Sequence, residues 1–409
     1  MRRDTGLAEI PLLNDMVIVA QEDWDEVWRR NQFLIAGLAR RCPATKFLFV
    51  ELPCDLTYGL RSRQIFQRGS AVRRKFAQMG AGLRRVPAYP NIYTLVPPKL
   101  LPAALPAGDS GNRAAQALYI RRALRRLGIV RPVVWTQDPL AGPLLAHLPA
   151  AQVIYDVTDD WTVVGSFSPG YRARIGAGDA QLTRRADVVL TCSDYLHRKK
   201  AAVHPATYLV PNGVDGHHYA AIDSGGLAAP ALLTGFPRPL LGYIGTLHDE
   251  RLDVDLIEAL AGRFPNATLV FVGPDHLTTE TRRRFAQHAN IRRIGPVPYT
   301  EVPAYLQAFA ICILPHRVTP FTESLNPIKA FEYLMSRRPV VSTAVAGLRE
   351  LGAVVTVAQD SAEFLAAVAQ RLESAPVYDA DPALRVAAQN GWPARVDQLI
   401  SILEPLCHP

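Results

Sequence analysis

Short apolar runs rich in Val, Ile and Leu alternate along this chain with stretches of helical period, the pattern of parallel strands buried on both faces and covered by helices. In the first half the runs are DMVIVA (15–20), KFLFVEL (46–52), IYTLVP (92–97), PVVWTQ (132–137), QVIYDV (152–157), DVVLTCS (187–193) and TYLVPN (207–212). Helical stretches such as NQFLIAGLARR and AAQALYIRRALRRLG lie between them. A charge-poor segment rich in Gly, Ala and Pro, AAIDSGGLAAPALLTGFPRP, then interrupts the pattern with no period of its own. The alternation restarts with LLGYIGT (240–246), ATLVFVG (267–273), IRRIGPV (291–297), ICILPH (311–316), PVVST (339–343) and AVVTVA (353–358). The expectation is an α/β protein of two doubly wound parallel-sheet domains, residues 1–215 and 239–390. A linker at 216–238 joins them, and a final helix within 391–409 packs back towards the first domain. Such sheets bind ligands beyond the carboxyl ends of their strands, so the two domains face a central cleft.

Composition agrees with a globular protein: of 409 residues 49% are apolar and 20% charged. The first residues contain Asp4, Glu9 and Asp15 where a signal peptide needs an unbroken apolar stretch, and no window reaches about 18 apolar residues. A cytoplasmic protein without a membrane span is expected. Cys42, Cys54, Cys192, Cys312 and Cys407 are far apart and form no CxxC pair, so neither a disulfide framework nor a zinc site is indicated.

The net charge of +8 is concentrated. From Leu56 to Gln137 there are fifteen Lys or Arg and one acid, Asp109. A field of that sign draws an acidic membrane leaflet or a pyrophosphate-bearing substrate, although a solvated basic face explains the same run. No RNP, zinc-finger or helix-turn-helix signature accompanies it, so nucleic acid is not an expected partner.

The segment ESLNPIKAFEYL (323–334) reads as a helix start, with Asn326 as cap, Pro327 in the first helical position, and Ile328, Phe331 and Met335 on one buried stripe. Lys329 then falls in the first turn, where the helix field opposes a cation by a few tenths of about 1 kcal/mol unless an anion is bound there. A phosphate would gather the free amides, the dipole and the lysine together. Glu332, on the same face, can accept from a sugar diol one turn deeper. Phosphate and ribose in that order describe a nucleotide. A surface ion pair between Lys329 and Glu332 fits the same spacing.

Here the residues resemble a known family. NPIKAFEYLMSRRPVVST closely resembles the donor-site segment of GT-B glycosyltransferases, LVPNGVDGHHY the end of their first domain, and LLGYIGTLHDERLDVDLIEALAGRFPNATLVFVGP the opening of their nucleotide-sugar domain. DMVIVAQEDWDEVWRRNQFLIAGLAR and VIYDVTDDWT are similar to the first strand and helix, and to the cleft segment, of a bacterial branch that makes polysaccharides and cell-wall polymers. The resemblance covers nearly the whole chain and implies two Rossmann-like domains. It implies that Lys329 binds donor phosphate and Glu332 the ribose. The amides around Leu325 and Asn326 would hold the diphosphate, with Pro327 beside them in the donor site, the Gly245, Thr246, His248 turn would approach it from the other side, and the GPVPY turn would line the base pocket. Retaining members carry two glutamates eight positions apart. Here the residue eight before Glu332 is Ser324, with Glu323 one place off as a donor-sugar contact, and an inverting reaction is expected.

An inverting transferase needs one carboxylate to deprotonate the acceptor hydroxyl. YDVTDDW ends a strand aimed at the cleft, and Asp159 or Asp160 is the expected base. Two adjacent acids also suit capping or a metal, but the fold resembled uses a helix start and basic side chains in place of a metal, so no metal or other cofactor is expected. Trp28 and Arg30, in the loop after the first strand, are candidate acceptor contacts. The expected function is transfer of a hexosyl or glycuronosyl group from a nucleotide-sugar, most simply a UDP-sugar, to a lipid-linked or oligosaccharide acceptor, a lipid-pyrophosphate-linked saccharide above all, in bacterial exopolysaccharide or cell-surface glycan synthesis. The basic half would rest on the inner leaflet. The alternatives are a nucleotide-sugar 2-epimerase of the same architecture and a non-catalytic scaffold of a polysaccharide assembly complex.

Overall fold

A computed structural model describes residues 13–407 except 26–27, 68, 103–107, 224–226 and 375–377. The amino-terminal dozen residues read above for a leader, and the middle of the expected linker, lie outside the described residues, as does the Cys407 side chain.

Seven of the apolar runs form one sheet in the order Thr207–Leu209, Val188–Thr191, Gln152–Val157, Val133–Thr136, Met16–Val19, Phe47–Val50, Ile92–Leu95, with the short strand Arg84–Arg85 on its edge. Every neighbouring pair is parallel except Arg84–Arg85, which runs antiparallel to Ile92–Leu95. A second, all-parallel sheet has the order Ile291–Gly295, Thr268–Val272, Leu240–Ile244, Ile311–Leu314, Val340–Thr343, Thr356–Ala358. Central strands such as Met16–Val19 and Val133–Thr136 are buried at every position, which is why they read as continuous rather than alternating apolar runs. The last strand is shorter than AVVTVA because residues 351–354 are taken up in a turn after the helix Ala346–Arg349.

Strand order reverses beside Met16–Val19 in the first sheet and beside Leu240–Ile244 in the second, the places where doubly wound sheets open a crevice. The last helix, Trp392–Cys407, returns to the first domain and packs along Arg30–Arg41, with the Trp392 ring stacked on Phe33 at 4.8 Å. Across the cleft Val164 packs with Phe321 and Leu325 of the second domain.

The basic stretch contains an insertion that the apolar pattern does not announce. Two-residue strands Cys54–Asp55 and Pro98–Lys99 pair with each other, and helices Leu56–Arg61 and Ala71–Ala81 lie over them. None of the eleven residues of Ala71–Ala81 is buried. Among the described residues no helix is long and apolar enough to cross a membrane.

Candidate active site

Lys329 belongs to the helix Ile328–Met335, whose start differs from the expectation. Pro327 occupies the cap position with extended backbone (φ −73°, ψ 118°), and no side chain caps the first turn. Asn326 is not the cap because its side chain is committed elsewhere. Its Oδ1 accepts from the Asn212 amide at 2.9 Å, and its carbonyl accepts from Asn212 Nδ2 at 2.6 Å. The first turn of the helix is thus left without a side-chain acceptor beside a cation, the arrangement that suits an incoming anion.

The ion pair with Glu332 does not form. Lys329 Nζ instead donates to the Tyr243 hydroxyl at 2.8 Å and sits 4.5 Å from the ring centroid. Tyr243 and Gly245 are two apart at the end of the strand Leu240–Ile244 and share a face, and the absent side chain of Gly245 makes the room: a Cβ there would meet Nζ at 2.2 Å. Gly245 has φ +148°, and Gly273, at φ +141°, passes so close that a Cβ on it would meet the Gly245 carbonyl at 2.3 Å. His316 Nε2 lies 3.5 Å from the Tyr243 hydroxyl. Burial and the nearby charges of Lys329 and Arg251 push this imidazole well below its usual range, so the ring is neutral. Lys329 and Arg251 therefore bring two positive charges to one small region at the reversal point of the second sheet.

The other residues expected around a donor divide into those that face this region and those that do not. Thr246 offers its carbonyl to the Tyr243 hydroxyl at 3.3 Å, and His248 Nδ1 accepts from the Glu250 amide at 3.2 Å, so both shape the turn locally. Burial pushes the Glu332 carboxyl up, and the hydroxyls of Tyr219 and Tyr299 together with Lys329 hold it back. Tyr299, from the GPVPY turn, also stacks on His218 at 3.8 Å. Leu325 is a packing residue of the interdomain cluster. Glu323 does not reach towards a donor sugar, because its carboxylate is held by both terminal nitrogens of Arg349, at 3.0 and 2.5 Å.

The two aspartates separate. Asp160 Oδ2 accepts from Lys199 Nζ at 2.5 Å, while its Oδ1 caps Trp161–Val163 through the Thr162 amide at 3.2 Å. These bonds outweigh burial and hold its carboxyl below the usual range. With both oxygens occupied, Asp160 is a structural anchor and not the expected base. Asp159 is partly exposed, accepts from Thr158 Oγ1 at 3.0 Å, and faces Arg251 of the second domain. Burial pushes its carboxyl up and Arg251 opposes this, leaving a more basic carboxylate at the junction of the domains.

Arg30 is corrected as an acceptor contact. It is 4% exposed and its guanidinium grips Asp156 (Nε to Oδ2 3.0 Å, Nη2 to Oδ1 3.1 Å) and Asn212 Oδ1 (3.2 Å). Gln137 Nε2 donates to the same Asp156 at 3.0 Å. Trp28 lies in an aromatic group with Trp24, Phe33 and Tyr89, and borders a cavity of about 1010 Å³ beside the linker, which Tyr299 also lines. Sequence reasoning passed over Tyr243, Arg251 and Asn212, and met Ser324 only as the residue standing where a second glutamate would be. The period-two relation of Tyr243 to Gly245 was available as a signal, and so was Arg251 in the turn after the first strand of the second domain. Nothing local marks Asn212, or the bonds of Ser324 to Asp160 and Ser193.

Comparison with known proteins places this geometry. Residues 238–374 match the family model described as Glycosyl transferases group 1. The matched residues make up most of the second domain. A curated relative, TuaH of Bacillus subtilis (strain 168), whose name assigns it to teichuronic acid biosynthesis as a glycosyltransferase, is 32% identical over 214 residues, or 49% of this chain and 53% of that protein. The match spans about half the length of that relative. The whole chain has the GT-B fold. Sucrose-phosphate synthase from Thermosynechococcus elongatus superposes with TM-score 0.70 at 15% identity, covering 96% of this chain and 99% of that one. Anabaena HepE in complex with UDP and glucose gives 0.65 at 16%, covering 97% and 100%. The UDP-forming trehalose-phosphate synthase of Burkholderia vietnamiensis gives 0.66 at 13%, covering 97% and 99%.

Proposed function

We propose that this chain is an inverting glycosyltransferase that moves a sugar from a nucleotide diphosphate, most simply UDP, to a saccharide acceptor. The observation that carries the reading is Lys329, seated on Tyr243 in the space left by Gly245, beside a helix start with no side-chain cap and with Arg251 near by. HepE, of the same fold, is described in complex with UDP. In the proposed reaction Asp159 accepts the proton of the acceptor hydroxyl. The freed oxygen attacks the anomeric carbon from the face opposite the nucleotide, and the bond from that carbon to the diphosphate oxygen breaks. The electron pair stays on the diphosphate, where Lys329, Arg251 and the free amides stabilise it.

The acceptor is proposed to be lipid-linked and presented at an anionic membrane surface. Supporting this, the helix Ala71–Ala81 carries Val72, Phe76 and Met79 at helical spacing beside Arg73, Arg74 and Lys75, with none of them buried. Tyr58, Leu60 and Phe66 stand exposed in the same insertion, Phe66 at 70%, and Leu100 and Leu101 flank it. A basic amphipathic surface of this kind suits the headgroup layer.

The test is release of UDP from UDP-sugars in the presence of a membrane extract, compared with the donor alone. Acceptor-dependent release that Asp159→Asn abolishes supports the proposal. Conversion of the donor to an epimer with no acceptor present would replace it with an epimerase.

A further inference from the structure

A second cavity, of about 590 Å³, opens over the carboxyl ends of the central strands of the first sheet, at Val19, Val50 and Asp138. Its charged lining groups are already partnered. Arg84 holds Glu51 at 2.8 Å, Lys99 pairs with Asp55, and Arg113 lies 3.3 Å from Asp138 and also pairs with Asp109, which Arg174 joins. Of its amides, Asn112 is bonded, its Oδ1 accepting from the Leu100 and Leu101 amides and its Nδ2 donating to the Leu101 carbonyl, whereas two glutamines are not. Gln116 is 4% exposed and lines the cavity, and among the described residues its side chain makes no hydrogen bond. Gln21, just beyond the first strand, also lines the cavity and makes no side-chain hydrogen bond among the described residues, but it is partly exposed. A buried amide without a partner calls for a ligand or an ordered water.

One wall of the cavity is aromatic. Trp161 stacks with Phe167 at 6.3 Å, and Phe167 meets Tyr171 edge-on at 5.0 Å. Trp161 comes two residues after Asp159 and approaches Phe321 of the second domain at 6.0 Å, in the cluster that also holds Leu325. The wall therefore runs from the start of the proposed donor site into the first domain.

We propose that this cavity is the acceptor subsite and that the sugar ring it takes is uncharged. This rests on the transferase reading above. The apolar face of a pyranose lies against Trp161 and Phe167, and its hydroxyls pair with the Gln116 and Gln21 amides, which donate and accept equally well. A uronate or phosphorylated ring is refused. Every cation at the wall already has a carboxylate, and a further anion would be desolvated without a free partner or would have to break an existing pair. Any phosphate of the acceptor then lies outside the cavity, on the basic insertion that borders it through Leu52, Pro53 and Lys99.

The test is saturation-transfer NMR on the full chain, with and without UDP, using methyl β-D-glucoside, methyl β-D-galactoside, methyl N-acetyl-β-D-glucosaminide and methyl β-D-glucuronide as probes. At least one uncharged glycoside is expected to bind, with the glucuronide about tenfold weaker or undetected. Gln116→Leu and Gln21→Leu are each expected to weaken that binding about tenfold while leaving UDP affinity unchanged. A glucuronide bound as tightly as the neutral glycosides would overturn the proposal. So would the failure of all the neutral probes, or two folded leucine variants that bind like the wild type. Loss of UDP binding in the unaltered chain would instead count against the donor reading, and the glycoside measurement without UDP stays readable in that case.

Discussion

Asn212 and Asn326 lie 114 residues apart and are joined by two hydrogen bonds, the Asn212 amide to Oδ1 at 2.9 Å and Asn212 Nδ2 to the Asn326 carbonyl at 2.6 Å. Next to them, Ser193 Oγ donates to the Ser324 carbonyl at 2.7 Å, and the Asp160 amide donates to Ser324 Oγ at 3.0 Å. Four bonds from the first domain thus fix residues 324–326, the loop that leads into the Lys329 helix. If these contacts from the first domain set the conformation of the proposed phosphate loop, the proposed donor site depends on the contact between the two domains.

Replacing Asn212 should therefore weaken donor binding from outside the second domain. Asn212→Ala removes the Nδ2 bond to the Asn326 carbonyl and the partner of Arg30 Nη1, a loss on the order of 1–3 kcal/mol, while the backbone amide bond to Asn326 Oδ1 remains. The donor KM is expected to rise at least severalfold, and a steady-state titration with the nucleotide-sugar checks it. An unchanged KM would mean the loop holds its shape unaided.

Gly245→Ala places a methyl group where Lys329 Nζ lies, 2.2 Å away, at φ +148°, a backbone conformation that alanine resists by roughly 1–3 kcal/mol. The lysine tip can swing aside, so the fold survives and the cation leaves its seat on Tyr243. UDP affinity is expected to fall at least tenfold, with the far-UV spectrum unchanged.

The two neighbouring aspartates should behave differently. Asp159→Asn is expected to remove nearly all turnover while leaving UDP affinity and melting temperature close to wild type. Asp160→Asn breaks the pair with Lys199 and is expected to lower the melting temperature. Arg251 opposes the burial that raises the Asp159 carboxyl. Arg251→Gln should raise it further, and since the carboxylate is the working form, the acid limb of the kcat profile moves to higher pH. A limb that stays in place would detach Asp159 from Arg251.

Glu22, in the loop after the first strand, is pushed up from 4.5 to about 7, chiefly by burial, with Arg29 and Asn31 opposing. A carboxyl whose folded value is raised stabilises the fold when protonated, and that contribution is lost as pH climbs from about 4.5 to about 7. Glu22→Gln should therefore match the wild type below pH 4.5 and melt higher at pH 8. Calorimetric melts across that range provide the check.

Both sheets are legible in the sequence because strands buried on two faces leave unbroken Val, Ile and Leu runs, and the Lys329 helix is legible because its pattern is local. The insertion at 54–81 is not legible as structure, since its short helices bury almost nothing and so impose no period. Long-range partnership is what the site needed and what spacing cannot supply. Asn326 before a proline reads as a cap, and only the fold brings Asn212 to it. Arg30 reads as a cleft arginine, and only the fold sets Asp156, 126 residues away, beneath its guanidinium. Glu323 is claimed by Arg349 in the same manner.

The central claim is that a nucleotide diphosphate is the anion that Lys329 awaits. A crystal structure of the chain with UDP tests it most directly. The account predicts a phosphate oxygen within about 3.2 Å of Lys329 Nζ and of an amide in the first turn of Ile328–Met335. Phosphates bound elsewhere, with Nζ still resting on the Tyr243 hydroxyl, would contradict it.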